Sequence, residues 1–198
     1  MKIGIAYPAF FEDFRFFFPE IEVIKSPNTI NEYDLVVFSG GADISPSIYG
    51  EQIMPMTSFN EIRDVVELRI LERALKFNKK ILGICRGHQL INAYLGGKLI
   101  QNISPPHLQW HKTLWNSDLD VFQKILFDHY NTYYKLWVNS YHHQAIKSLG
   151  TGMKIICRNP VDNIIEATGN GDNILTVQWH PEFSNDFVFF DIIKKWLK

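Results

Sequence analysis

The sequence places one cysteine where nucleophilic chemistry is expected. Residues 80–89 read KILGICRGHQ, so Gly83 and Gly87 each stand two positions from Cys85. Gly-x-Cys-x-Gly is the thiol counterpart of the Gly-x-Ser-x-Gly elbow, a sharp turn from a strand into a helix that presents the nucleophile. The glycines remove Cβ atoms where the turn is tightest, and the positive end of the following helix favours the thiolate. The pattern therefore predicts a nucleophile at Cys85 and a helix that begins near Gly87.

A histidine and a glutamate near the C-terminus supply the partners that a catalytic thiol needs. Residues 174–183 read ILTVQWHPEF, so an apolar strand is followed by His180 and Glu182. Residues two apart in an extended chain project to the same side, which lets the carboxylate lie against one ring nitrogen. Such pairs are common at protein surfaces, where they contribute little. Their combination with the elbow favours a Cys–His–Glu triad, in which the imidazole moves the proton and the carboxylate orients the imidazole.

Other histidines are weaker candidates. His142 and His143 are alternatives for the base, and the pair also suggests a metal site. No matching Cys, His or Asp spacing accompanies the pair, which favours a supporting or substrate-lining role. His107 and His111 have the i, i+4 spacing of a helical metal pair, but the two prolines before them favour a loop. No metal site is therefore expected.

Taken together, these motifs resemble the class I glutamine amidotransferase superfamily, and further segments resemble its γ-glutamyl-γ-aminobutyrate hydrolase branch, peptidase family C26. The resemblance runs from about residue 36 to about residue 183. The elbow alone is moderately specific, whereas the elbow, the late His-Pro-Glu and the Asn-Ser-Tyr-His-His-Gln segment in this order are highly specific. The additional segments that carry it are residues 39–46 (SGGADISP), Tyr49-Gly50-Glu51, Arg63-Asp64 with Glu67, Asn92 with Gly96-Gly97, and residues 138–144 (VNSYHHQ).

The resemblance implies a fold, an activity and a set of site residues. The implied fold is α/β, a flavodoxin-like three-layer sandwich in one domain over residues 1–198. It has a mostly parallel central sheet, helices on both faces and a small antiparallel extension. The implied activity is hydrolysis of a γ-glutamyl amide through a glutamyl thioester. The implied site has Cys85, His180 and Glu182 as catalytic residues, the N–H groups of Gly41 and Arg86 as the oxyanion hole, and Gln89, Ser140, Tyr141 and His142 as substrate contacts.

Two alternative functions use the same residues. In one, the protein is the glutaminase subunit of an amidotransferase and delivers ammonia to a separate synthase partner. In the other, it is a catalytically silent binding module on the same fold. The leaving group is ammonia, an amine, or a nitrogen that carries a phosphoryl or nucleotide group. We expect it to be selected by residues 105–134 and by the region before residue 36, which is shorter than is usual in this branch.

Composition narrows the class of protein. With 198 residues and 46% hydrophobic content, the chain is long enough to bury a sizeable core. A net charge of −1 gives no reason to expect nucleic acid or an anionic membrane as partner, and no apolar run reaches the length of a membrane span. The two cysteines and an N-terminus that resembles a strand, not a signal peptide, predict a cytoplasmic protein without disulfides. We expect a small γ-glutamyl substrate, no cofactor and, by analogy, a homodimer.

Apolar runs and helical segments alternate along the chain, which predicts an α/β layered sheet. Cys157, inside an apolar strand pattern, is expected in the core, and His88 is expected to pack rather than to catalyse. The predicted helices cover residues 60–78, 87–95 and 184–197. Residues 10–18 are expected to form an amphipathic helix or a capping loop, and residues 105–134 loops with a short helix. The predicted strands cover residues 2–7, 22–25, 35–39, 80–84, 98–100, 136–139, 154–158, 164–168 and 175–179.

Overall fold

The computed structural model describes residues 1–103, 111–115 and 136–198. Four α-helices lie within these ranges: α1 (Phe11–Phe17), α2 (Glu61–Lys76), α3 (Arg86–Tyr94) and α4 (Phe187–Trp196). The strands are β1 (Ile3–Ile5), β2 (Glu22–Val23), β3 (Leu35–Phe38), β4 (Lys80–Ile84), β5 (Lys98–Ile100), β6 (His111–Trp115), β7 (Leu136–Val138), β8 (Ala145–Ser148), β9 (Lys154–Arg158), β10 (Ile165–Gly169) and β11 (Ile174–Val177).

A central sheet runs through the described part of the chain in the order β2-β1-β3-β4-β11-β10-β9-β6-β7. The first five strands of this order are parallel, and the other four are joined antiparallel to their neighbours. β5 and β8 form a separate antiparallel pair. The α/β fold with a parallel central sheet, helices on both faces and an antiparallel extension is confirmed. Because β3, β4 and β11 are parallel neighbours, the residues that follow them meet at one edge of the sheet.

Helices cover both faces of the parallel half of the sheet. α1 and α4 pack on one face through buried phenylalanines, of which Phe17 and Phe190 stack with ring centroids 3.8 Å apart. α2 and α3 pack on the other face, where Ile70 and Leu90 are buried. Every residue of β3 is buried as a result. This explains why the sequence shows a continuous apolar run in β3 and not an alternation of apolar and polar residues.

The phenylalanine-rich segment near the N-terminus forms the amphipathic helix that was one of its two predicted structures. Phe14 and Phe17 are buried in the core, whereas Phe16 faces solvent. The helix starts after Phe10, whose φ of 57° lies in the left-handed region. This turn leaves the Phe10 ring outside the helix, in contact with the residues that follow β11.

The structure differs from the sequence prediction in several elements. Residues 111–115 form β6, so the prediction of loops and a short helix was wrong for this part of 105–134, and the other residues of that segment lie outside the described ranges. The strand β8 was not predicted, because four residues of mixed polarity give little periodic signal. Most other elements match within one to three residues at each end. Among the described residues, no helix combines the length and the hydropathy that crossing a membrane requires.

Candidate active site

The turn from β4 into α3 is the sharp elbow that the glycine spacing predicts. Cys85 stands between the two elements with φ 49° and ψ −100°, a conformation that non-glycine residues rarely adopt. Its N–H donates to the Val177 carbonyl of β11 at 2.8 Å, which fixes the turn against the neighbouring strand. A Cβ atom at Gly87 would lie 2.1 Å from the Phe38 carbonyl oxygen, so this position accepts only glycine without a shift of the backbone. The helix begins at Arg86, one residue before the predicted start.

His180 and Glu182 lie beside this thiol. His180 Nδ1 is 2.6 Å from Glu182 Oε1, and both side chains are buried. The Cys85 side chain also lies close enough to the imidazole to affect its protonation. Burial opposes protonation of His180, but the negative charge of Cys85 and then the Glu182 carboxylate outweigh burial and raise the pKa of the imidazole to about 10. The raised pKa therefore favours the imidazolium form of His180 at neutral pH.

Contacts hold His180 both at its ring and at its backbone. A Cβ atom at Gly40 would lie 2.4 Å from His180 Cε1, so the glycine backbone packs directly on the ring. Phe183 stacks against the ring with centroids 4.6 Å apart and planes within 2°. Asn139 pairs with the backbone of His180, donating to its carbonyl at 2.6 Å and accepting from its N–H at 2.8 Å. Phe10 packs edge-on against both rings. These contacts leave the imidazole little freedom to rotate.

Two glutamines connect the thiol of Cys85 to the backbone of Gln144. Gln178 Nε2 lies 3.6 Å from Cys85 Sγ and is placed to donate to it. Gln89 Nε2 donates to Gln178 Oε1 at 3.1 Å and to the Gln144 carbonyl at 3.2 Å. The predicted substrate contact Gln89 is thus buried one turn beyond Cys85, and its amide N–H groups are engaged by protein oxygens.

The segment that contains the other predicted substrate contacts lies next to His180. Ser140 is buried, whereas Tyr141 is 55% exposed and has its ring edge-on to His180 with centroids 6.1 Å apart. His142 is buried, and its Nδ1 donates to the Gln144 carbonyl at 2.8 Å. His143 instead contacts the Asp43 carboxylate, with Nε2 3.1 Å from Oδ1. These two histidines therefore lie in different hydrogen-bond networks, and neither is the imidazole bonded to Glu182.

The predicted oxyanion donors follow two neighbouring parallel strands, β3 and β4. Gly41 follows β3, which pairs in parallel with β4, and Arg86 is the first residue of α3. The first N–H groups of a helix have no acceptor within that helix, so the Arg86 N–H needs an acceptor outside α3. The Arg86 side chain is buried and points away from the site to carboxylates of α2.

Two groups that resemble reactive residues lie in the core. His88 is fully buried with Nδ1 2.6 Å from Thr176 Oγ1, and burial lowers its pKa to about 3, so it stays neutral. Cys157 is fully buried in β9, and burial, followed by the nearby Glu166 carboxylate, raises the pKa of this thiol. Within the described ranges, no group of three or more His, Cys, Asp or Glu side chains has the arrangement of a metal site.

The residues around the thiol and the imidazole that were missed as site residues include Gly40, Asn139, Gln178 and Phe183. Each lies within one residue of a predicted position or inside a quoted motif, so a signal was available. Gln178, for example, is two residues before His180 and shares its side of the extended chain. The contacts themselves cross large sequence distances, and spacing alone does not reveal them.

Comparison with known proteins identifies the family and the fold. A family model described as Peptidase C26 matches residues 18–182. The chain is 39% identical over 173 residues to the glutamine amidotransferase-like protein YvdE of Lactococcus lactis, covering 83% of this chain and 72% of that protein. It is 30% identical to the gamma-glutamyl-CDP-amidate hydrolase of Campylobacter jejuni, covering 81% and 68%. The solved structure of a glutamine amidotransferase from Thermotoga maritima superposes with a TM-score of 0.65 at 18% identity, covering 98% of this chain and 82% of that one.

Proposed function

Because the chain belongs to the peptidase C26 family, we propose that it is a cysteine-dependent hydrolase that cleaves a γ-glutamyl amide and releases glutamate. The observation that carries this proposal is the arrangement of Cys85 on a strained elbow beside His180, whose Nδ1 is 2.6 Å from Glu182 Oε1. A nucleophile, a base and a group that orients the base are the minimum set for covalent acyl transfer.

In the first half of the reaction, the Cys85 thiolate attacks the carbonyl carbon of the γ-glutamyl amide. The resulting oxyanion accepts hydrogen bonds from the N–H groups of Gly41 and Arg86. His180, which carries a proton up to a pH of about 10, donates that proton to the departing nitrogen. The carbon–nitrogen bond breaks, and the amine leaves with a glutamyl thioester on Cys85.

In the second half, water replaces the amine. His180, now neutral, accepts a proton from water as the water oxygen attacks the thioester carbonyl. The carbon–sulfur bond breaks, the thiolate forms again and glutamate departs. Glu182 keeps the proton of His180 on Nδ1 during the neutral stage, so that Nε2 faces the reacting atoms. Ser140, Tyr141, His142 and Gln89 are the residues that we propose to contact the glutamyl part of the substrate.

The second candidate is a glutaminase that passes ammonia to a synthase. It uses the same steps with glutamine as substrate, and the similarity to glutamine amidotransferase-like proteins supports it. The similarity to a protein named as a gamma-glutamyl-CDP-amidate hydrolase favours the first candidate, in which the leaving nitrogen carries a larger group.

The experiment measures glutamate release from glutamine, γ-glutamyl-γ-aminobutyrate, γ-glutamyl-p-nitroanilide and a nucleotide-linked γ-glutamyl amidate. The proteins compared are the wild type, Cys85→Ala and the matched control Cys157→Ala, which changes the other cysteine of the chain. We expect turnover of a substituted amide to be lost in Cys85→Ala and kept in Cys157→Ala. Equal turnover in the wild type and Cys85→Ala would refute the proposed chemistry. Activity confined to glutamine, with stimulation by a synthase, would favour the second candidate.

A further inference from the structure

In the first two turns of α2, charged side chains are buried and apolar side chains face solvent. Arg63, Asp64 and Glu67 on this helix are at most 5% exposed, whereas Ile62 and Val65 are 77% and 49% exposed. Charged side chains are rarely buried to this extent unless they are paired. These three belong to a motif that the chemistry proposed above does not use, so their burial needs another explanation.

One half of this charged cluster holds the side chain of Arg86. Its guanidinium donates to Glu67 Oε2 and to Asp64 Oδ1, so both carboxylates bind the residue that follows the nucleophile. Asp64 also accepts from the Ser45 N–H at 3.0 Å through its second oxygen. Arg86 is only 1% exposed. The first residue of α3 is thereby fixed to α2 from behind the elbow.

The other half holds the loop that follows β3. Arg63 donates from Nε to Glu67 Oε1 at 3.2 Å and from Nη2 to the Gly40 carbonyl at 2.9 Å. The same Nη2 lies 3.1 Å from the Ser39 carbonyl. A Cβ atom at Gly41 would lie 2.2 Å from Arg63 Nη1, so the guanidinium packs directly on this backbone.

The bond to the Gly40 carbonyl has a geometric consequence for Gly41. The carbonyl of Gly40 and the N–H of Gly41 belong to one planar peptide unit and point in opposite directions. Holding the oxygen toward Arg63 therefore aims the N–H away from Arg63. Glu67 joins the two halves, since its two oxygens bind Arg63 and Arg86.

We propose that Arg63, Asp64 and Glu67 are positioning residues that set the spacing and direction of the Gly41 and Arg86 N–H groups, so that both donors meet one oxyanion. This inference rests on the proposed function, because it concerns the same acyl-transfer step. It assigns no contact with substrate to the three residues. Glu67, which bridges both halves, is the central member.

The test separates oxyanion formation from thiol reactivity. Alkylation of Cys85 by iodoacetamide is a direct displacement at carbon and forms no oxyanion, whereas amide turnover requires one. Removing an oxyanion donor costs roughly 10²–10³ in kcat. We expect Glu67→Gln to lower kcat on γ-glutamyl-p-nitroanilide about 10- to 100-fold, with KM and the alkylation rate constant each within about threefold of wild type. Arg63→Lys, which keeps the charge but loses the fork of donors, should lower kcat by a smaller factor.

Glu72→Gln is the matched control, because it makes the same chemical change on an exposed position of α2. It should leave kcat and alkylation unchanged. Parallel loss of turnover and alkylation in both Glu67→Gln and Arg63→Lys would show a general structural role and overturn the proposal, and so would unchanged turnover in both. If the wild type cleaves no γ-glutamyl amide, the proposed function itself fails and the positioning role fails with it. If the wild type cleaves the amide and the two variants do too, only the positioning role is overturned.

Discussion

Replacement of Cys85 by alanine should change the protonation of His180 more than any other single substitution near the ring. In the wild type the pKa of His180 is raised from 6.5 to about 10. At about 1.4 kcal/mol per pKa unit, this corresponds to roughly 5 kcal/mol of preference for the imidazolium over an ordinary histidine. The charge of Cys85 contributes more to this preference than Glu182 does, whereas burial opposes it. Without the thiolate, burial acts against Glu182 alone.

We therefore expect the pKa of His180 to fall by about one to three units in Cys85→Ala. This is the range associated with loss of an adjacent opposite charge. The assay is a ¹H–¹³C NMR titration between pH 5 and 11 of protein labelled at the histidine ring carbons. The His180 signal is assigned by its absence in His180→Gln. Cys157→Ala is the control and should titrate as the wild type does, because this thiol lies in the core of β9.

The raised pKa of His180 also predicts how activity depends on pH. Since the raised pKa keeps His180 protonated up to a pH of about 10, the general acid step should persist through neutral pH and be lost as the pH rises through about 10. A wild-type titration near 6.5 that does not move in Cys85→Ala would refute the reasoning, since it would show that the thiol and the imidazole do not share a proton.

Three other substitutions test the support of His180. Glu182→Gln removes the carboxylate 2.6 Å from His180 Nδ1 and should lower kcat on the order of 10³- to 10⁴-fold, because the imidazole loses its preferred tautomer. A smaller effect than that of Gly40→Ala, described next, would contradict this role of Glu182. Gly40→Ala places a Cβ atom 2.4 Å from His180 Cε1, so the ring must move. We expect kcat/KM to fall roughly 10²-fold. The midpoint of thermal unfolding is measured for the same variant to exclude loss of folding. Phe183→Leu removes a stacked ring worth about 0.5–1.5 kcal/mol and should lower kcat/KM up to about tenfold. It should also move the upper limb of the pH profile to lower pH. An upper limb that does not move would speak against stacking of Phe183 on the imidazolium.

The elbow and the His-x-Glu segment were predictable because local sequence determines both. The glycines around Cys85 permit a strand-to-helix turn, and His180 and Glu182 share one side of an extended segment. The α/β layering followed from apolar runs that alternate with helical segments. The catalytic roles of these residues stay predictions until turnover is measured.

The support of the imidazole was not predictable, since it depends on which strands become neighbours. β11 inserts beside β4, which brings Gln178 to Cys85 across 93 positions of sequence. Asn139 reaches the His180 backbone from a segment 41 residues away. Periodicity assigns a residue to a face of its own element, and it carries no information about which element that face will meet.

The start of α2 shows how the usual pattern misleads. Hydrophobic periodicity would place Ile62 and Val65 in the core and the charged residues of the same turns in solvent. The structure has the reverse arrangement, because the facing surface is formed by the carbonyls of the loop after β3 and by the guanidinium of Arg86. Burial of Glu67 is made favourable by Arg63 on the same helix and by Arg86, a partner 19 residues later at the elbow.

The charged cluster also bears on why the site has this construction. A buried ion network is weak evidence for stability, since well-packed apolar residues of similar volume often stabilise a protein equally or more. Apolar side chains are present in these same turns of α2, yet they face outward. A cluster kept only for stability would have little reason to exclude them. Planar guanidinium groups, by contrast, direct several hydrogen bonds at fixed angles, which apolar packing does not do. The inversion of α2 is therefore better explained by the directions it imposes on the Gly40–Gly41 peptide and on Arg86 than by any contribution to the free energy of folding.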